Sequence, residues 1–210
     1  GVVRLSCPIT LLHAHVSSML ADFMALNPHV TVHLEATNRR VDVVAEAMDI
    51  AIRVRPPPIQ DSDLVMRVLS DRGQCVVASP ALFNKHELPK TPADIAEWPS
   101  LALGTPQQTH VWNLFGPDGA HVSLHHHPRF VTGDMMALRD AALAGVGIVQ
   151  LPRMMIRDQL AAGTLLSLLP DWAPRREIVH VVFPSRRGVL PSVRALIDYL
   201  AERFQALNED

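Results

Sequence analysis

The sequence predicts an α/β fold, a mostly parallel sheet covered by helices, and three observations carry that prediction. The first is RRVDVVAEAMDIAIRVR at 39–55, where the apolar period changes within one stretch. Val41, Val44, Ala45 and Met48 sit at i, i+3, i+4 and i+7, which predicts a short helix over Arg40 to Met48. Ile50 and Ile52 then alternate with Ala51 and Arg53, which predicts a buried or half-buried strand over Asp49 to Val54. The second is that a strand, a helix and another strand precede this step, giving β-α-β-α-β in the first quarter. The third is Pro56, Pro57 and Pro58, which stop the strand because a proline nitrogen cannot donate to a ladder.

Taken in order, Val2 to Cys7 reads as the first strand, ended by Pro8, with Thr10 as the N-cap of the first helix. Leu12, Val16, Met19, Leu20, Phe23 and Met24 keep helical spacing until Asn27-Pro28. Val30, Val32 and Leu34 alternate with Thr31 and His33 as a half-buried strand. Beyond the prolines, Leu64 to Leu69 and Gln74 to Ala78 read as strands separated by Asp71-Arg72-Gly73. Ser79-Pro80 and Thr91-Pro92 each mark a short helix start, and Asp94 completes a capping box with Thr91. Between Trp98 and Phe130 the pattern weakens to short strands near Leu101 to Leu103, His110 to Phe115 and His121 to Leu124. Asp134 caps a helix over Met135 to Ala144 that Gly145 closes, and Val146 to Leu151 is a buried strand. A helix over Met154 to Ala162, strands at Leu165 to Leu169 and Glu177 to Phe183, and a last helix opened by Pro191 complete the chain.

At 210 residues, with 48% hydrophobic content and mean hydropathy of +0.14, the chain can bury one large core or two small ones and is not disordered. No apolar run approaches the roughly 20 residues that cross a bilayer, and GVVRLSCPIT shows no signal-peptide pattern. A net charge of −2 gives no reason to expect nucleic-acid or membrane binding from this segment. Cys7 and Cys75 each lie in an apolar strand-like run, which fits two buried thiols in a reducing, cytoplasmic compartment.

Four stretches in this order resemble the C-terminal effector-binding domain of LysR-type transcriptional regulators. They are 39–55, SPALFNKHELPKTPADIAEWP at 79–99, ALRDAALAGVGIVQLP at 137–152 and LLPDWAPRREIVHVVFPSRRGVLPSVRALIDYL at 168–200, and in this order they carry a resemblance that runs over essentially the whole chain. The resemblance implies a type II periplasmic-binding-protein-like fold, two α/β lobes with a ligand cleft between them. It places lobe I at 1–71 plus 177–210 and lobe II at 72–176. It also implies a homodimer or tetramer, a small-molecule effector whose identity the resemblance does not supply, and DNA contact only through an N-terminal winged helix-turn-helix that this chain does not contain. No membrane partner and no cofactor are implied.

In such sheets ligands sit beyond the C-terminal strand ends, often at helix starts whose free N–H groups favour anions. Two starts qualify: Pro8-Ile9-Thr10 after the first strand, and Thr132-Gly133-Asp134 in the other lobe. Thr10 and the amides near it could hold a carboxylate or similar small polar group, but a plain N-cap is the favoured reading of Thr10, and the two roles can coexist. Asp134 would repel a second anion at its helix, and relatives often carry asparagine where Gly133 stands. Arg53 and Arg55 alternate onto one face of the 50–55 strand and could hold a carboxylate or an acidic neighbour; relatives commonly have glycine in place of Arg55. Gln150 interrupts the apolar VGIVQLP strand and needs a ligand, backbone or water partner, while Trp112 is a candidate cleft wall or a core aromatic.

His125-His126-His127 and His13-x-His15 lack metal-ligand spacing, and neither cysteine lies in a C-x-x-C. No G-x-S-x-G or phosphate-loop motif occurs, so nothing points to an enzyme or to a metal site. The competing expectation is a transport solute-binding protein of the same fold.

Overall fold

The computed structural model describes residues 1–59, 64–185 and 188–207. The chain divides into two compact units, Gly1–Arg72 with Glu177–Asp210, and Gly73–Arg176. The division on the way out falls one residue past the expected 71/72 boundary.

In the first unit β1 (Val2–Cys7) runs parallel to both β2 (Thr31–Ala36) and β3 (Ile50–Arg55). That parallel trio is the β-α-β-α-β pattern of the first quarter. β12 (Glu177–Phe183) returns antiparallel to both β3 and β4 (Val65–Arg72), so only half of this sheet is parallel. The five strands lie in the order β2-β1-β3-β12-β4. Val3, Leu5, Ile50 and Val181 are fully buried, with Phe23 on one helix and Leu196, Leu200 and Phe204 on another. The last of these helices, Pro191–Gln205, opens with proline at its first turn as the sequence predicts.

The first helix, Ile9–Leu26, is 18 residues long and by length and composition alone could cross a membrane. Leu11, Leu12, Val16, Met19, Leu20 and Phe23 are instead buried in the core of the first unit. A π turn over Leu12–Val16 interrupts it. Its N-cap is Pro8 and not Thr10, which lies within the first turn.

The segment ahead of β3 is not a helix. Residues 43–47 form irregular turns, with Ala47 at φ 54, and the bond from Glu46 N to Asp42 O is one isolated helical closure. Val41 and Val43 are buried, whereas Val44 is 68% exposed, so the helical face read from Val41, Val44, Ala45 and Met48 does not form. A stretch this short cannot repay helix nucleation by itself. Local bonds hold it instead: Arg39 pairs with both Glu35 and Glu46, and Asp42 accepts from Ala45 N.

The second unit has an antiparallel sheet of β10 (Val149–Pro152), β5 (Gln74–Ala78) and β11 (Leu166–Ser167), with β5 in the middle. A parallel pair, β6 (Leu101–Leu103) with β9 (Phe130–Thr132), and a hairpin of β7 (His110–Phe115) with β8 (His121–His126) complete it. The helix Met135–Leu143 packs Leu138 and Ala142 into the core beside Val77, Leu101 and Val149.

The AGVGIVQLP stretch owes its glycines to this packing. Gly145 takes φ +80 just after the helix, a conformation L side chains rarely adopt. At Gly147 an added Cβ would fall 2.8 Å from the Pro99 carbonyl oxygen, so Ser100 and Ile148 can bridge only because no side chain stands there. Gly147→Ala is expected to cost about 1–3 kcal/mol, as overpacking against backbone does, and to show as a lowered midpoint in urea titration.

Candidate functional site

The structure resolves the first helix start in detail. The Ile9 amide, the N–H that an anion would use, donates instead to Asn38 Oδ1 at 3.0 Å. Asn38 comes from the loop after β2, 29 residues away in sequence, and Thr37 Oγ1 beside it accepts from Arg39 N. Pro8, Ile9 and Thr10 are all partly exposed there. Sequence reading missed Asn38 because a helix cap is sought within a few residues of the helix. Its only signal was an asparagine at a strand-to-turn junction.

At the second start Asp134 is the N-cap, as the sequence predicts. Its Oδ1 accepts from Met136 N at 2.8 Å and Ala137 N at 3.1 Å, and Thr132 Oγ1 accepts from Asp134 N. The carboxylate therefore occupies the positive end of this helix. Gly133 beside it faces open space: an added Cβ would meet no atom within 4 Å. A small side chain would fit here without a clash.

Arg53 and Arg55 part company. Arg53 is 9% exposed, and its Nη2 donates to the Val41 carbonyl at 3.1 Å, so its guanidinium ties β3 to the segment before it. Arg55, at the last position of β3 opposite Ile178, is exposed. Gln150 on β10 is half-buried, and its Nε2 donates to Gln74 Oε1 at 3.2 Å. Gln74 Nε2 in turn donates to the Arg175 carbonyl, so the polar interruption in VGIVQLP finds a side-chain partner two strand positions off register.

Trp112 is placed in the core and does not form a wall open to ligand. It is 3% exposed among Val76, Phe83, Ile148 and Leu168, and its indole stacks on the His126 imidazole at 4.1 Å and 10°. A tryptophan at an inward position of β7 buries its large ring wherever a core is available. His126 in turn meets Ser100 Oγ through Nδ1 at 2.6 Å. Burial, with smaller contributions from His110 and His127, pushes the His126 pKa down to about 4 from 6.5.

The native state thus takes up this proton less readily than the unfolded chain between those two values. Stability is expected to be intact above pH 6.5, to fall as the pH drops toward 4, and to level off below that. His126→Gln, compared with the parent by urea titration across that range, should flatten the slope. An unchanged slope would mean the imidazole is not desolvated.

The first unit also holds an exposed groove of about 460 Å³ beside the Arg67–Asp198 ion pair. Among the described residues no group of three or more His, Cys, Asp or Glu could hold a metal ion. Both cysteines are free and buried, and burial pushes the Cys7 thiol up to about 12 and raises Cys75.

The family model described as LysR substrate binding domain matches residues 1–205. An HTH-type transcriptional regulator of Xanthomonas campestris is 29% identical over 97% of this chain and 60% of its own length. The HTH-type transcriptional activator AaeR of Escherichia coli is 26% identical over 97% of this chain and 65% of its own. The regulatory domain of AphB from Vibrio vulnificus superposes with a TM-score of 0.80 at 27% identity, covering 96% of this chain and 98% of that one. The chain spans about three-fifths to two-thirds of the length of these two curated relatives. Its sheets have the mixed α/β, type II periplasmic-binding-like arrangement of LysR regulatory domains. The chain belongs to the LysR substrate-binding-domain family.

Proposed function

We propose that this chain is the sensing part of a DNA-binding transcriptional regulator, taking up a small-molecule effector and biasing the conformation of a longer protein. The family match over residues 1–205 carries that reading. The relatives are transcriptional regulators, not enzymes or transport proteins, which disfavours the solute-binding alternative. The effector changes transcription only if it binds two conformations with different affinity. DNA contact would come from a winged helix-turn-helix outside this chain, in a cytoplasmic protein.

The exposed or half-buried positions offered to an effector are Pro8, Ile9 and Thr10 with Arg55 on the first unit, and Gly133, Asp134 and Gln150 on the second. A homodimer fits the unpaired edge of β2 and the exposed Leu26 and Leu34 beside it. A monomer by light scattering at micromolar concentration would remove that part.

Thermal-shift screening against small carboxylates, aromatic acids and amino acids tests the sensing role. An effector at about 100 times its Kd should stabilise the domain by about 2.7 kcal/mol. Thr10→Ala or Gln150→Ala should abolish the shift, and a hit indifferent to both would sink the site assignment.

A further inference from the structure

The edge strand β4 and the Pro191–Gln205 helix flank the groove of about 460 Å³ that lies wholly within the first unit. Val65, Met66, Phe183, Val189 and Ile197 supply its apolar lining. We propose that this groove binds an amphiphilic carboxylate, with a linear aliphatic tail on that lining and the acid head on Arg194.

The lining carries three charged side chains, Arg67, Arg194 and Asp198. Arg194 and Asp198 stand four residues apart on one helix, a spacing at which side chains meet. Asp198 Oδ1 instead accepts from Arg67 Nη1 on β4, and the Arg194 guanidinium has no hydrogen bond or ion pair among the described residues. One positive charge is thus left over in the groove. The first turn of the helix holds no acidic residue to offset it. A guanidinium takes a carboxylate through two parallel N–H bonds, which a neutral amide cannot match. A single negative head also suits the single spare cation. A phosphomonoester, at about −1.5 to −2 near pH 7, would bring more negative charge beside Asp198.

The tail separates this ligand from a small acid. Arg194 is exposed, and an ion pair with an exposed guanidinium is worth little in water, so a short carboxylate gains almost nothing here. Apolar area has to supply the affinity. Met66 in the lining and Leu190, next to Val189 in the chain, remain 36% and 52% exposed. Three consecutive β4 residues line one side and a turn of the helix the other, so the lining is drawn out along the strand and suits a linear tail. Its volume is within the range of small-molecule sites. The groove uses none of the positions offered to an effector, so the two readings stand or fall separately.

The test titrates the 15N-labelled chain with octanoate, its neutral isostere octanamide, octyl phosphate and butanoate, read at the amides of Val65 to Arg67 and Arg194 to Asp198. Octanoate should shift them saturably, and butanoate should be weaker by roughly threefold per missing methylene. Octanamide and octyl phosphate should each be about fivefold weaker than octanoate. Arg194→Gln should weaken octanoate by about fivefold, whereas Asp198→Asn, which removes the like charge and releases Arg67, should tighten it by about threefold. Both side chains are exposed, so both variants keep the fold. Absence of saturation at about 10 mM octanoate would overturn the proposal. So would equal binding of octanamide, octyl phosphate or butanoate, or an octanoate affinity that neither variant changes. Shifts confined to the Ile9 or Met136 amides would also overturn it, while leaving the effector reading in place.

Discussion

Trp112→Ala is expected to destabilise the second unit by about 3–5 kcal/mol, the usual range for emptying a buried aromatic site. The ring is 3% exposed and is held by Phe83, Ile148 and Leu168 on one side and by the stacked His126 on the other. Truncation removes the apolar burial and leaves a cavity that the hairpin and the β10-β5-β11 sheet cannot both collapse to fill. Trp112→Phe keeps most of the ring and gives up the indole N–H, so it should cost far less. Urea titration followed by far-ultraviolet circular dichroism measures both. An alanine variant within about 0.5 kcal/mol of the parent would return Trp112 to the surface.

The second large effect is expected in the first unit, at the end of β4. Arg72 ends β4 and Glu177 begins β12, and they face each other in the antiparallel register. Arg72 Nε and Nη2 each reach Glu177 Oε1 at 2.9 Å, with the side chains 5% and 15% exposed. Arg72→Met leaves a carboxylate largely out of water without its cation and should cost about 3–5 kcal/mol, unlike an exposed pair worth under about 1 kcal/mol. The double variant Arg72→Met with Glu177→Leu should recover much of the loss, because neither charge then needs solvation. If the double variant is no more stable than the single, the cost lies in lost packing and not in the stranded charge.

Legibility followed the range of the interactions involved. β1, β3 and β12 were readable because their β-branched and apolar residues are written into consecutive positions, and β5 because Cys75 to Ala78 is a short unbroken apolar run. Asp134 was readable as a cap because its partners, Met136 and Ala137, are two and three residues away. Thr10 was misread because the actual acceptor, Asn38, is brought in by the pairing of β1 with β2. The 41–48 segment has helical spacing, but the choice between helix and turn was made by Arg39 gripping Glu46 and by which valines reached the sheet. The Gln150–Gln74 bond and the cross-strand His110–His126 pair depend on register, which sequence spacing alone does not set.

The two inert thiols have a practical consequence. Cys7 is 0% exposed, Cys75 is 3% exposed, and both have raised pKa values. At neutral pH neither presents thiolate to an alkylating reagent while the chain stays folded. A cysteine introduced at an exposed position of each unit could be spin- or dye-labelled without first deleting the native pair. Distance distributions between such labels, with and without a bound compound, would then report directly on whether the units move.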